Sequence, residues 1–223
     1  MRKIAFIAAA TVLAASTAFA GDTVLHQFSA SAARGGVRRI VVDVSTGTVH
    51  IRNGASDKIV ATGTVRREYD DASDRVRQQR IVDDIGVEIY ANSDGAIVSR
   101  KLGEHARGWN ARNNSDFNLN LEVPAGMGLD IQTRAGEVHL DGSFGSVKAD
   151  LRAGEIHATI DRANVRSLTA SVRIGEVHAN TGDQQIDNEG VLPHEVHWLN
   201  PNANAKSIVD LHTTAGEVHV TLK

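Results

Sequence analysis

Along most of the chain, apolar and polar residues alternate with a period of two, the spacing of a strand with one face buried. Leu129, Ile131, Thr133 and Ala135 form one such inward set, and Leu168, Ala170, Val172 and Ile174 form another. Past the next glycine the inward residue is Val138 or Val177, an odd step away, so the alternation changes phase at the glycine. A phase change at a residue without a Cβ predicts a corner or bulge between two strands. Each unit then reads as a strand of about six residues, a glycine corner, a strand of about four and a polar return turn. Asp141-Gly-Ser-Phe-Gly145 and Asn180-Thr-Gly-Asp183 fit the return turns.

The corner belongs to a recurring hexapeptide: Arg134-Ala-Gly-Glu-Val-His139, Arg152-Ala-Gly-Glu-Ile-His157, Arg173-Ile-Gly-Glu-Val-His178 and Thr214-Ala-Gly-Glu-Val-His219. Its glycines are 18, 21 and 41 residues apart. A degenerate copy, Leu192-Pro-His-Glu-Val-His197, divides the longest gap, with His194 in the glycine place. An earlier relative, Ser45-Thr-Gly-Thr-Val-His50, carries Thr48 where the others have Glu, and the two-strand figure recurs from Ile40 to Ile51. A period near twenty residues with this alternation predicts a mostly β chain: a single-domain β-solenoid of stacked two-strand coils, with a β-sandwich as the alternative.

The segment between the early unit and the later ones is less regular. Three aspartates near its start, with Val76, Ile81 and Val82 behind them, predict one short helix over Asp70 to Val82. Val87 to Ala91 and Ala96 to Lys101 predict a hairpin around Asn92-Ser-Asp-Gly95. Gly103 to Asp116, polar apart from Trp109, reads as a long loop.

The first twenty residues follow a different pattern. Arg2 and Lys3 precede an apolar run from Ile4 to Ala15, and Ala18-Phe19-Ala20 offers a cleavage site before Gly21. This is the pattern of a secretory signal peptide over 1–20, leaving 21–223 as the exported domain. The apolar run is too short for a transmembrane anchor. With no cysteine in the 223 residues, lipid anchoring and disulfides are excluded, so the expected location is the periplasm or the cell exterior. The net charge of −3, or −5 without Arg2 and Lys3, argues against a nucleic-acid partner. Aromatic residues make up only 4%, so Val, Ile, Leu and Ala must build the core.

The strand, glycine corner and strand, followed by the turn in Leu121-Glu-Val-Pro-Ala-Gly126 and the Gly-Glu-Val or Gly-Glu-Ile coils, resemble the bacterial putative-adhesin family, a domain of unknown function. The resemblance covers about 35 to 223 and implies a β-solenoid of exported or envelope proteins with a proposed role in adhesion. The His that closes each repeat is a departure from that family's pattern. The partner implied is a cell-surface glycan or an envelope protein.

Glu and His stand two apart on a strand, so both point outward. Stacking at about 4.8 Å would align Glu137, Glu155, Glu176, Glu195 and Glu217 beside His139, His157, His178, His197 and His219. These ten side chains are candidate ligands for a divalent metal such as zinc, copper or nickel; otherwise no cofactor is expected. Against this stands a solvated polar face whose carboxylates are offset by Arg134, Arg152 and Arg173. A His column would also change the surface charge between roughly pH 7 and 5.5. Enzyme signatures are lacking: His194-Glu-Val-His197 is one residue short of the zinc-protease spacing, and no nucleophile elbow or phosphate loop occurs. Asp130, Asp150 and Glu137 are the acids that a polysaccharide-cleaving site on such a fold would draw upon.

Overall fold

The computed structural model describes residues 23–55, 57–91, 95–108, 115–188 and 193–223. Residues 1–20, expected to be a signal peptide, Trp109 and residues 92–94 at the tip of the expected hairpin lie outside them. The fold is mostly β, with its strands joined in one sheet and, among the described residues, one α-helix. The strands are β1 (Thr23–Ala33), β2 (Arg39–Asp43), β3 (Thr46–Asn53), β4 (Lys58–Glu68), β5 (Ile85–Ala91), β6 (Ala96–Leu102) and β7 (Asp116–Val123). They continue with β8 (Gly128–Gly142), β9 (Val147–Ile160), β10 (Val165–Asn180), β11 (Gln185–Asn188), β12 (His194–Leu199) and β13 (Ser207–Leu222).

Four long strands, β8, β9, β10 and β13, each contain a glycine at mid-length and so have two arms. Their first arms continue the series β5, β6, β2, β8, β9, β13, β10, β12. Their second arms lie in the series β1, β4, β7, β3, β8, β9, β13, β10, β11. The pairings from β3 through β8, β9 and β13 to β10 are parallel, so chemically equivalent residues face one another. Only residues 143–146 connect β8 to β9, and that return spans no more than about 18 Å. The two arms therefore converge at their free ends as well as at the corner. Their inner faces enclose one core, with Leu129, Ile131, Ala149, Leu151 and Leu211 from the first arm and Val138, Ile156, Val177 and Val218 from the second. Each Val, Leu or Ile among them contributes roughly 1.5–3 kcal/mol by leaving water.

The corner is where this sequence is most constrained. Gly47, Gly136, Gly154, Gly216 and Gly175 line up across the five strands, with φ between +126° and +135°. A Cβ on Gly154 would lie 1.8 Å from the Gly136 carbonyl oxygen, and one on Gly216 would lie 2.0 Å from that of Gly154. No L side chain fits such a spacing or favours such a φ. Thr213, fully buried, donates its hydroxyl toward the carbonyls of Ala215 at 3.3 Å and Gly154 at 3.4 Å, which satisfies acceptors at the bend.

The phase change occurs slightly earlier than the alternation predicts. Ala135 is exposed and Ile174 is 56% exposed, so neither belongs to the inward set. The bend begins before the glycine: the amides of Arg134 and Ala135 both donate to the Ser45 carbonyl, at 3.0 and 3.3 Å, while the register stays in step across it, with Asp43 opposite Gln132 and Thr46 opposite Ala135. The helix forms as expected, α1 over Ala72–Asp83, because the Asp71 carboxylate accepts the amides of Ser73 at 2.8 Å and Asp74 at 3.0 Å. It packs against β1, β4 and β5. The hairpin of β5 and β6 also forms, with Ala91 opposite Ala96.

Strand order departs from chain order. β13, the last strand, lies between β9 and β10 rather than beyond β10. Among the described residues the degenerate copy shows no corner: β12 begins at His194 and runs antiparallel to the first arm of β10. The chemistry explains this, because His194 carries the Cβ that the corner excludes. Among the described residues, no helix is long and apolar enough to cross a membrane.

Candidate binding face

The second arm presents its outward face as rows of side chains running across the strands. In one row, register places Thr62 of β4 against Asn120 of β7, Asn120 against His50, and then His139, His157, His219 and His178 in succession, ending at Asp187 of β11. The imidazoles stack face to face. Centroid separations are 4.4 Å for His50 and His139, 4.9 Å for His139 and His157, 4.8 Å for His157 and His219, and 4.8 Å for His219 and His178, with ring planes within 14°.

The adjacent row holds Thr48, Glu137, Glu155, Glu217 and Glu176. Within each strand the two rows are tied together. His Nε2 lies 3.1 Å from the carboxylate in Glu137–His139, 2.9 Å in Glu155–His157, 2.8 Å in Glu217–His219 and 3.2 Å in Glu176–His178. Carboxylates stacked one strand apart repel, and the imidazoles beside them relieve that repulsion. The arginines expected to do so do not: among the described residues, Arg134, Arg152 and Arg173 form no ion pair.

The ends of the His row differ in charge preference. His178 Nδ1 lies 2.9 Å from the Asp187 carboxylate. Asp187 first, with Glu176 adding to it against the effect of burial, raises the His178 pKa above its ordinary value. Its partner Asp187 is correspondingly lowered. His50, with Thr48 in place of a Glu, is lowered by burial and by its neighbour His139.

Four of the five predicted Glu–His pairs come together in this ladder, and the fifth does not. Glu195 and His197 are 3.1 Å apart, but they sit on β12, where His197 faces Thr169 on the first arm. The antiparallel course of β12 removes them from the column. Among the described residues, no three His, Asp or Glu side chains converge on one point as a metal centre would require. The acids considered for catalysis are likewise separated. Asp130 pairs with Arg39, and Asp150 with Lys148 at 3.1 Å, both on the first arm, whereas Glu137 is on the second.

An open concavity of about 610 Å³ lies over this face, lined by His50, His139, His157, Asn120, Thr62 and Arg52 among others. Arg52 donates from Nε to Glu122 at 3.1 Å. The repeat does not reveal Thr62, Asn120 and Glu122, because they lie outside the Gly-Glu-Val motif. Alternation in Asn118-Leu-Asn-Leu-Glu122 marks two Asn and a Glu as outward, but only the register shows that Asn120 abuts His50. The result is a plate of hydrogen-bond donors and acceptors at spacings set by the backbone.

No known family model and no curated protein matches the sequence. Among solved structures, the chain is similar to a putative cell adhesion protein from Clostridium sporogenes, at 12% identity over 90% of this chain and all of the other, with a TM-score of 0.50. It is also matched to a putative adhesin from Bacteroides fragilis, at 7% identity over 62% of this chain and 56% of the other, with a TM-score of 0.26. At these identities, the first likeness is one of fold.

Proposed function

We propose that this chain is an exported, non-enzymatic binding module of adhesin type, a β-solenoid in architecture, whose second-arm face engages a cell-surface glycan. The observation that carries the reading is the register-aligned polar row from Thr62 through Asn120 and His50 to His178. A glycan offers hydroxyls at regular intervals, and side chains fixed on strands meet them without a large ordering cost. The concavity over Asn120, His50 and Arg52 gives such a ligand a place to lie. The fold likeness to a protein described as a cell adhesion protein supports the same reading, as does the signal-peptide pattern of residues 1–20.

The test is a glycan array probed with the native chain, with a triple variant Thr62→Ala, Asn120→Ala, Arg52→Ala, and with a first-arm control, Ser171→Ala. The expected result is binding by the native chain and the control, and its loss in the triple variant. Binding to no glycan, or equal binding by all three, overturns the reading. Capture of an envelope protein through the same face, with no glycan bound, would replace glycan with protein as the partner.

A further inference from the structure

We propose that two copies of this chain join edge to edge, with β12 of one added to β12 of the other as an antiparallel neighbour across a two-fold axis at Val196. This inference uses the first arm and stands or falls independently of the glycan reading, which concerns the second. The two ends of the stack are closed differently. At the end formed by β1 and β5, α1 lies against both strands, and Gln79 Nε2 donates to the Leu25 carbonyl at 3.3 Å, occupying an acceptor on β1. At the other end β12 pairs with β10 on one side and, among the described residues, with no strand on the other.

The backbone of β12 shows which groups face that free side. Just past its end, the Asn200 amide donates to the Arg166 carbonyl at 3.0 Å and so continues the ladder with β10. Bonded residues of an antiparallel pair alternate, so Trp198, Val196 and His194 bond to β10, whereas Glu195, His197 and Leu199 turn their amides and carbonyls away from it. A row of unpaired amides and carbonyls is a template for another strand, and native edges are often closed to such pairing by lysine, proline or a bulge. Within His194–Leu199 there is none of these.

The side chains select the register. Opposed residues of a strand pair share a face, so Pro193, Glu195, His197 and Leu199 must meet their own kind of position, leaving Val196 and Trp198 in the core. With Val196 opposite its own copy, Glu195 lies opposite His197 of the second copy and His197 opposite Glu195, while Leu199, 70% exposed, lies opposite the exposed Pro193. A slip of one register step sets Glu195 against Glu195 in one direction, or His197 against His197 and Glu195 against Leu199 in the other. The register centred on Val196 therefore pairs acid with base and apolar with apolar. Glu195 and His197 are already 3.1 Å apart within the strand, so across the axis each acid stands beside two imidazoles. The two opposed Glu–His positions exchange backbone hydrogen bonds in both directions. An edge of six residues makes a small interface, so the dimer is a weak one.

Small-angle X-ray scattering on the full chain at concentrations up to about 1 mM measures the association, and circular dichroism verifies that each variant is folded. The expected result is a monomer–dimer equilibrium. His197→Glu sets like charges opposite each other at both positions and should weaken the dimer about 2- to 30-fold; adding Glu195→Lys to it should restore the association. His197→Pro removes an amide that β10 does not use, so this variant should stay folded and monomeric. The register is read by mixing Glu195→Cys with isotopically labelled His197→Cys under mild oxidation. Opposed positions have Cα atoms about 5.5 Å apart, within the reach of a disulfide, whereas like positions are diagonal, at about 7–8 Å, and beyond it. Mixed disulfides between positions 195 and 197 should therefore predominate. A native chain monomeric throughout, a dimer unmoved by His197→Glu and His197→Pro, or a predominance of like disulfides would overturn the proposal.

Discussion

Replacing Gly154 by Ala adds one methyl group at the corner, and its cost follows from two separate terms. The first is conformational: φ of +130° is a region that L residues avoid, at about 1–3 kcal/mol. The second is steric: the new Cβ would lie 1.8 Å from the Gly136 carbonyl oxygen, a backbone atom of the neighbouring strand. Relief requires β8 and β9 to separate locally by more than an ångström, which loosens one or two ladder hydrogen bonds worth about 1 kcal/mol each. The sum is about 2–5 kcal/mol, large for a single methyl group. Gly35→Ala is a comparison free of the clash, since Gly35 has φ of +51°, in the left-handed region that L residues enter more readily than φ of +130°, and nothing within 4 Å of its missing Cβ; its expected cost is about 1–2 kcal/mol. Urea unfolding followed by far-ultraviolet circular dichroism measures both. If Gly154→Ala costs no more than Gly35→Ala, the close stacking of the corners is refuted.

Three further outcomes follow from the same geometry. In a histidine NMR titration, His178 should show a raised pKa and His50 a lowered one, and Asp187→Asn should bring His178 back toward 6.5. Because its folded value is raised, His178 contributes stability that is full below pH 6.5 and lost as pH rises through the folded value; Asp187 contributes above pH 3.8 and is lost on acidification, while His50 opposes folding as pH falls. Their pairing is therefore strongest in the mildly acidic range, and Asp187→Asn should flatten the pH dependence there. Ending the chain at Lys206 removes β13 from between β9 and β10, so limited proteolysis should release the segment from β10 onward while leaving β1 to β9 protected. Asp71→Ala, which deprives the Ser73 and Asp74 amides of their acceptor, should lower Tm by about 2–4 °C, with most of the loss restored in Asp71→Asn.

Local features of the fold were legible because each rests on a local rule. The phase change at Gly136 marked the corner, the aspartates before Val76 marked a capped helix, and the alternation of Val87 and Ile89 marked a strand. What stayed hidden was the order in which like units associate. Gly136, Gly154, Gly175 and Gly216 carry almost the same hexapeptide, so nothing in the motif specifies that the unit at Gly216 pairs with both Gly154 and Gly175. Counting Glu-Val-His placed His197 in the column, although His194 excludes the corner that would put it there. The outward position of Ile174 was also missed, since hydrophobicity suggested burial at a residue that the bend before Gly175 leaves exposed.

The face itself depends on that order, because only the sequence His50, His139, His157, His219, His178 makes one continuous row. The absence of cysteine from the chain allows a direct measurement. Neighbouring strands lie about 4.7–4.9 Å apart, within the Cα separation that a disulfide accepts, whereas strands two apart lie beyond the limit of about 7 Å. Cysteines are introduced in pairs, His157→Cys with His219→Cys and His157→Cys with His178→Cys, and disulfide formation under mild oxidation is read by mass spectrometry. Closure in the first pair and none in the second is the predicted result. Closure between positions 157 and 178 instead would mean that β9 and β10 are adjacent, contradicting the row on which the proposed binding face is built.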